Sequence, residues 1–210
     1  MTKNKLNSSG KKAFGTYKFS LIDKFGVWLS HRTINKHIKG RDNLHVLELG
    51  CGFMARNLFA IEKKCKKMVG VDFNISNQLN SNPKFTPIEA SIDNALENLD
   101  GKRFDIIMII SVLEHLENPT AVLEICKKLL NPNGILLINV PTWLGKFFLE
   151  FSAFRIGLSP KEEMDDHKMY YNKKDLWPIL VKSGFLPSMI KMNYHKFQLN
   201  LFASVKKGEV

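Results

Sequence analysis

The segment of residues 46–52, VLELGCG, constrains the fold of this chain more than any other part of the sequence. A run of strand-forming residues leads directly into two glycines, and a helical pattern of apolar residues follows at Leu58, Phe59 and Ile61. Glycines in such a turn let the backbone approach a bound molecule that side chains would exclude. A strand, a glycine turn and a helix in this order predict one unit of an α/β sheet with a nucleotide-type cofactor at the turn.

The same alternation of strands and helices continues along the chain. Parallel strands are predicted at 45–49, 68–71, 85–90, 104–110 and 135–140. Helices are predicted at 19–38 as one or two pieces, after the glycine turn, and at 74–80, 119–130 and 173–183. Residues 131–134, NPNG, are expected to form a turn, and residues 186–194 and 197–206 an antiparallel hairpin. We therefore expect an α/β, Rossmann-like, doubly wound fold: a mostly parallel seven-stranded sheet with an antiparallel C-terminal hairpin.

The length of the chain favours one domain, because 210 residues bury one core and are too few to favour two enzymatic domains. Residues 1–12 are polar and basic and predict a flexible arm, with the domain proper at 13–210. Residues 143–171 contain several Phe, fit no strand and follow the fifth strand. Since open α/β sheets bind ligands at the carboxyl ends of their strands, we expect this insertion to form a lid.

The net charge of +11 is concentrated near the N-terminus, where residues 1–41 hold ten Lys or Arg against one acidic residue, Asp23. A basic segment of this kind can contact nucleic acid, an anionic membrane or a phosphorylated substrate, and a solvated tail is the alternative. No apolar run approaches the roughly 20 residues needed to span a bilayer, and no apolar stretch follows the first charges as in a secretory signal. We expect a cytoplasmic protein.

The three cysteines, Cys51, Cys65 and Cys126, have no spacing typical of a zinc site or a disulfide framework. We expect them to be reduced thiols.

The glycine turn alone leaves two cofactors open. Gly50, Gly52 and Ala55 satisfy a GxGxxA dinucleotide pattern, and Asp72 follows Gly50 by 22 residues, where a ribose-binding acid is expected. Glu48 favours a different cofactor, because its carboxylate would face the pyrophosphate of NAD at close range. S-adenosylmethionine (SAM) carries no phosphate and has a positive sulfonium and ammonium group instead. We therefore expect SAM, with NAD as the alternative.

Four segments together resemble the class I SAM-dependent methyltransferases of the broad small-molecule type. They occur in the family's order and cover about residues 44–141. A late Gly184-Phe185 pair and the terminal hairpin also resemble the family's usual ending. The four segments are VLELGCG at 46–52, VGVDF at 69–73, FDIIMIISVLEH at 104–115 and LNPNGILLI at 130–138.

The resemblance implies a role for individual residues. The glycine turn would line the methionine part of SAM, Asp72 would accept hydrogen bonds from the ribose hydroxyls, and Phe73 and the residues after the third strand would meet the adenine. Two departures leave open a repacked loop, reduced SAM affinity or lost activity: Met54 replaces a third glycine, and only Ser91 or Asp93 could replace an acid after strand three. The implied cofactor-binding set is Glu48, Gly50, Cys51, Gly52, Asp72, Phe73, Ser91, Ile92 and Ser111.

Two histidines are candidate general bases, since the pKa of histidine can be tuned near neutrality. His115 follows the fourth strand, and the alternative is a histidine that caps the next helix. His167 ends the predicted lid, and the alternative is a surface residue. Some relatives hold a metal with an ExxEH stretch; Ser111 stands where its first Glu would be, so no metal is expected.

The sequence permits several methyl acceptors. The aromatic insertion and the basic N-terminus fit a small-molecule or glycolipid-like acceptor, such as a sugar or lipid-linked glycan precursor, with peripheral contact to an anionic membrane. Ordinary core packing of the insertion is the alternative. RNA as the acceptor is disfavoured because no RNA-binding module is recognisable. A catalytically inactive SAM-binding partner protein is the third possibility.

Overall fold

The computed structural model of the chain describes residues 21–148 and 168–208, without the side chains of 21–23. The predicted arm, His167 and residues 149–167 of the predicted lid therefore lie outside the described residues. Within the described ranges, no helix is long and apolar enough to cross a membrane.

A seven-stranded sheet forms the centre of the protein, in the order β3-β2-β1-β4-β5-β7-β6. The first five strands pair in parallel, whereas β7 runs antiparallel to both β5 and β6. The predicted seven-stranded, mostly parallel sheet with an antiparallel C-terminal hairpin is confirmed. The strands are β1 Leu44–Leu49, β2 Cys65–Asp72, β3 Phe85–Glu89, β4 Phe104–Ile110, β5 Leu130–Pro141, β6 Ile190–His195 and β7 Asn200–Lys206.

Helices cover both faces of the sheet, which is the doubly wound arrangement that the sequence predicts. One apolar core lies between the sheet and the side chains of α1 and α2, and includes Ile34 and Leu58. The other lies under α3, α4 and α6, and includes Leu96, Leu123 and Leu176. The helices are α1 Leu21–His37, α2 Arg56–Ala60, α3 Ile92–Glu97, α4 Pro119–Leu129, α5 at residues 143–148 and α6 Lys173–Lys182.

The order of the strands reverses between β1 and β4, because the chain moves outward through β2 and β3 on one side and through β4 and β5 on the other. The carboxyl ends of β1 and β4 therefore border the crevice in which sheets of this kind bind ligands. The β6–β7 turn lies at the same edge, since Asn200 at the start of β7 pairs with Pro141 at the end of β5.

Two boundaries near the second strand differ from the sequence prediction. The strand begins at Cys65 rather than Met68, because its backbone pairs with β1 although the side chains of Lys66 and Lys67 face solvent. The preceding helix is correspondingly short and ends at Ala60. Lys63 and Lys64 lie in the 3-10 turn Glu62–Lys64 that follows it.

Two short helices also differ from the prediction. The helix predicted at 74–80 is a 3-10 turn, Asn77–Ser81. The helix α3 was not predicted, because its six residues are too few for a periodic pattern. The Ser91 hydroxyl caps it by accepting a hydrogen bond from the Asn94 N–H at 3.3 Å.

The last strands start at other positions than predicted. Residues 131–134 form a bulge inside β5, since Leu130 pairs with Phe104 and Ile135 pairs with Ile106. Only Asp105 lies opposite the bulge, and its carboxylate accepts a hydrogen bond from the side chain of Asn131 at 2.8 Å. In the hairpin, Pro187–Met189 form a 3-10 turn, so β6 begins at Ile190, and β7 begins at Asn200.

The β6–β7 turn contains backbone strain that a substitution can relieve. Lys196, Phe197 and Gln198 have φ angles of 48°, 58° and 67°, and the left-handed region costs a non-glycine residue roughly 1–2 kcal/mol. Phe197 is 81% exposed, so its ring contributes little packing. We expect Phe197→Gly to be about 0.5–1 kcal/mol more stable than Phe197→Ala in urea unfolding, because glycine relieves the strain that alanine keeps. Equal stability of the two variants would contradict this reading of the turn.

Candidate functional site

The glycine turn after β1 is fixed against the end of β2 by its own amides. The N–H groups of Gly50 and Cys51 donate to the carbonyl oxygen of Val71 at 2.8 and 3.0 Å. The N–H of Gly52 donates to Oδ2 of Asp72 at 2.7 Å. All three amides are therefore used to position the turn, and the glycine φ angles of +74° and +72° allow this geometry.

Gly50 meets the loop after β4 at the point where the strand order reverses. A Cβ atom on Gly50 would lie 2.2 Å from Cγ2 of Val112, which is far inside van der Waals contact. Only glycine permits this approach. The turn and residues 111–112 thus form two adjoining walls of the crevice.

Asp72 ends β2 with its carboxylate held in one orientation. Its Oδ2 accepts the Gly52 N–H, and its Oδ1 accepts the Phe73 N–H at 2.8 Å. Burial raises the pKa of this carboxyl, and backbone N–H groups oppose that rise. Each oxygen keeps a further lone pair, so the group can accept hydroxyl hydrogens from a ligand. Phe73, next to it, is 60% exposed and offers a flat apolar face.

Glu48 lies at the end of β1 and is completely buried. Its Oε1 accepts a hydrogen bond of 2.6 Å from the side-chain amide of Asn57 on α2. Its Oε2 is buried and has no hydrogen-bond partner, although the backbone N–H of Leu58 lies near enough to lower the pKa of the carboxyl. Burial is the main cause that raises the pKa of Glu48 to about 8. A buried acid with an unpaired oxygen beside the crevice fits a positively charged ligand group, because a cation at this oxygen would favour the ionised carboxylate that burial disfavours.

This raised pKa predicts how stability depends on pH. The folded protein holds the Glu48 proton more tightly than the unfolded chain does. The contribution of the Glu48 carboxyl to the free energy of unfolding is therefore complete below about pH 4.5 and is lost as the pH rises through about 8. Between pH 6 and pH 9, Glu48→Gln is expected to lose less unfolding free energy than the wild type in urea titrations. The exposed Glu97→Gln serves as the control. If Glu48→Gln loses as much unfolding free energy over this pH range as the wild type does, the raised pKa is not that of Glu48.

The β3 side of the crevice contains an acid that the sequence reasoning missed. Glu89 ends β3 directly opposite Asp72, and its Oε1 accepts the Ile75 N–H at 2.9 Å. Glu89 thereby supports the loop that carries Phe73. An acidic residue in register with Asp72 at the end of the next strand was the available signal.

The remaining residues of the implied cofactor set lie around this crevice in different environments. Ser91 follows Ala90, whose N–H donates to the carbonyl oxygen of Asp72 at 3.0 Å. Ile92 is partly buried against the core at the start of α3. The side chain of Cys51 points into the core beneath β2 and is 5% exposed, so only its backbone borders the turn.

Ser111 and Asn139 join the ends of β4 and β5. The Ser111 N–H donates to the Asn139 carbonyl at 2.8 Å, and the Asn139 amide donates to the Ser111 hydroxyl at 3.4 Å. Ser111 is exposed with φ 56°, whereas Asn139 is fully buried and its Oδ1 has no partner. His115 lies in the following 3-10 turn, Leu113–His115, and is partly exposed.

A second group of polar side chains meets near the β6–β7 turn, and we call it the hairpin cluster. Burial raises the pKa of Glu114 to about 8 and lowers the pKa of Lys196 to about 8, and each charge opposes the shift of the other. Burial also raises the pKa of Tyr171 to about 12, to which Glu114 adds. Burial lowers the pKa of His31 on α1, and the Lys196 charge adds to this shift. The cluster comprises His31, Glu114, Tyr171 and Lys196, none of which was predicted.

The structure thus places the glycine turn, Glu48, Asp72, Phe73 and Ser111 around one crevice. His115 lies beside this crevice, and His167 lies outside the described residues. In the part of the chain that the structure describes, no group of three or more His, Cys, Asp or Glu could hold a metal ion.

Comparisons with known proteins show which family the chain resembles. A family model described as Methyltransferase domain matches residues 26–185. The mitochondrial ubiquinone biosynthesis O-methyltransferase of Dictyostelium discoideum is 24% identical over 131 residues, or 55% of this chain and 40% of that protein. The ubiquinone biosynthesis O-methyltransferase of Glaesserella parasuis serovar 5 (strain SH0165) is 38% identical over 50 residues, or 24% of this chain and 21% of that protein. The matches therefore span less than half of either relative.

Solved structures share the fold at low sequence identity. The plantazolicin methyltransferase BpumL, in complex with a triazolic desmethylPZN analog and SAH, has a TM-score of 0.68 at 16% identity and covers 88% of this chain and 86% of its own. The magnesium protoporphyrin IX methyltransferase ChlM from Synechocystis PCC 6803, with bound SAH, has a TM-score of 0.64 at 16% identity. The match covers 93% of this chain and 91% of that protein.

Proposed function

Because the chain belongs to the methyltransferase domain family and has a Rossmann-like fold, we propose that it transfers a methyl group from SAM to a small-molecule acceptor. One observation carries the proposal. The buried, unpaired Glu48 oxygen and the fixed Asp72 carboxylate flank the glycine turn from two sides. This pair suits a ligand with a positive centre and neighbouring hydroxyls, as in SAM. The pyrophosphate of NAD would offer no positive centre to the buried Glu48.

We assign the cofactor contacts as follows. Asp72 accepts hydrogen bonds from the ribose hydroxyls, and the exposed Phe73 ring packs against the adenine. Glu48 ionises when the positive sulfonium and ammonium groups lie near it, and it then supplies negative charge to them. Ser91, Ile92 and the backbone of 50–52 complete the surrounding wall. When bound, SAM supplies a methyl group that is already activated by its positive sulfur.

The protein contributes to the reaction mainly by positioning the reactants. Methyl transfer is an in-line displacement, and aligned reactants at close range gain a large part of the rate from proximity alone. Ser111 and Asn139 at the ends of β4 and β5 border the place where an acceptor would approach. We propose His115 as the group that takes the acceptor's proton, because it is partly exposed and can pass the proton to solvent. His167 remains a second candidate base.

The acceptor proposed is a small molecule, with a sugar or a lipid-linked glycan precursor as specific candidates. The two curated relatives are O-methyltransferases by name, which favours an acceptor hydroxyl. Exposed apolar side chains on α5, Trp143, Leu144, Phe147 and Phe148, fit an apolar acceptor body. Contact of the basic N-terminal segment with an anionic membrane, and a cytoplasmic location, are further parts of this proposal.

A transfer assay tests the proposal. The protein is incubated with methyl-labelled SAM and, in separate reactions, with hydroxylated aromatic acids, a polyprenyl-linked sugar and total transfer RNA. We expect label in a small-molecule fraction, and no label when Asp72→Asn replaces the wild type. Label in RNA would instead indicate that the acceptor is RNA. Binding of SAM without label in any fraction would favour a non-catalytic partner protein.

A further inference from the structure

Asn57, in the first turn of α2, contacts the buried carboxyl of Glu48. Its side-chain Nδ2 donates to Oε1 of Glu48 at 2.6 Å. Asn57 is partly exposed, whereas Glu48 is completely buried. A carboxyl group with one oxygen bound in this way has a fixed plane, so the direction in which its other oxygen points is fixed as well. That other oxygen, Oε2, is the one that has no hydrogen-bond partner.

The backbone before α2 holds Asn57 in this position. Ala55 is fully buried, with a φ angle of 44° and a ψ angle of 42°. A residue other than glycine remains in this left-handed region only where neighbouring structure enforces it. The N–H of Ala55 donates to the Gly52 carbonyl at 3.2 Å, so α2 starts directly from the glycine turn. The position of Asn57 is therefore tied to the same turn that borders the crevice.

The groups around Glu48 have opposite effects on its charge. Burial raises the pKa of Glu48, the Asn57 amide lowers it, and the Asp72 charge on β2 raises it again. Burial also raises the pKa of the neighbouring Cys51 thiol, and the Glu48 charge adds to this shift. On α1, burial lowers the pKa of His31, and its contact with Asn57 opposes that shift. The Asn57 amide thus favours the ionised form of Glu48 against burial and against a neighbouring acid.

We propose that Asn57 is a positioning residue of the cofactor site, which orients Glu48 so that its Oε2 receives the ammonium group of the cofactor. The inference rests on the proposed function, because it concerns the same crevice. Without the amide, the carboxyl is free to turn and its neutral form is favoured. The ammonium group then lacks its charged partner, although Asn57 itself does not touch the ligand.

The test uses the full chain and two ligands that differ in one group. They are S-adenosylhomocysteine (SAH) and its deaminated analogue, in which hydrogen replaces the amino group. We expect the wild type to bind SAH about tenfold more tightly than the analogue in calorimetric titrations, as a charge-assisted hydrogen bond allows. Asn57→Leu should lose most of this preference and keep its affinity for the analogue. Asn80→Leu, the same change at an exposed site, should retain the preference.

A double-mutant cycle shows whether Asn57 acts through Glu48. In the Glu48→Gln background, Asn57→Leu should leave the affinity for SAH unchanged, because no carboxylate remains to be oriented. Asn57→Ala, which only removes atoms, is the second variant, and we expect the same loss of preference from it. Thermal unfolding establishes which variants are folded.

The results distinguish the role of Asn57 from the proposed function. Failure of the wild type to bind SAH would overturn the proposed function. If SAH binds, three results would overturn the role of Asn57: equal wild-type affinities for the two ligands, a preference for SAH that survives in the folded Asn57 variants, or an equal loss of affinity for both ligands in these variants. An effect of Asn57→Leu that keeps its full size in Glu48→Gln would also overturn it.

Discussion

Replacement of Asp72 by asparagine is expected to lower the affinity for SAH by about a hundredfold. The Asp72 carboxylate accepts the N–H groups of Gly52 and Phe73, one on each oxygen. An asparagine amide has only one oxygen, so it cannot accept both N–H groups and also serve the ribose hydroxyls. The loss of one or two hydrogen bonds to a charged group amounts to roughly 3 kcal/mol, which corresponds to about a hundredfold in affinity.

Calorimetric titration with SAH measures this effect directly. Asp100→Asn, an identical change at an exposed site remote from the crevice, provides the matched control and should bind like the wild type. Thermal unfolding of both variants establishes that they are folded. Wild-type affinity in Asp72→Asn would remove Asp72 from the cofactor site.

Replacement of Gly50 by alanine is expected to be among the most damaging single changes in the chain. The new methyl group would have to fit 2.2 Å from Val112 in a backbone conformation of φ +74°. Gly40 has nearly the same φ, +75°, but open space around its Cβ position. Gly40→Ala therefore isolates the conformational cost of roughly 1–2 kcal/mol, and the excess loss in Gly50→Ala reports the clash.

We expect Gly50→Ala to lower the free energy of unfolding by about 3 kcal/mol or more and to abolish SAH binding, because the turn and the loop after β4 must separate. Urea unfolding measures the stability of both variants. In the double variant Gly50→Ala/Val112→Ala, removal of the opposing methyl groups should recover part of the loss. Equal losses in Gly50→Ala and Gly40→Ala would show that the close approach has no energetic importance.

The placement of the residues around the glycine turn was predictable because its signals are local in sequence. Glu48, Gly50 and Gly52 lie within one strand–turn unit, and Asp72 ends the next strand of the pattern. Parallel strands bring their carboxyl ends to one edge, so the approximate position of all four follows from the strand assignments alone. The fold class follows from the same alternation.

The hairpin cluster was not predictable in this way. His31, Glu114 and Lys196 belong to α1, the loop after β4 and the β6–β7 turn, and they meet only through tertiary packing. No spacing in the sequence connects them. The strained conformation of Lys196 also depends on hydrogen bonds from Thr142, which lies 54 residues earlier in the chain. Local propensity contains no information about such a tether.

Some boundaries were wrong because backbone pairing overrides side-chain pattern. Lys66 and Lys67 belong to β2 although they interrupt its apolar run, since the backbone there continues to pair with β1. The bulge at 131–134 is accommodated within β5 because Asp105 binds Asn131 across it. Both cases concern register, which a single sequence encodes only weakly.

The most direct test of the central claim is a calorimetric titration of the wild-type chain with SAH and, separately, with NAD. Both ligands carry an adenosine, but only SAH carries an ammonium group, which suits the buried, unpaired Glu48 oxygen. We expect saturable binding of SAH at one site and no measurable binding of NAD. Binding of NAD in preference to SAH, or binding of neither ligand, would contradict the assignment of this crevice to SAM.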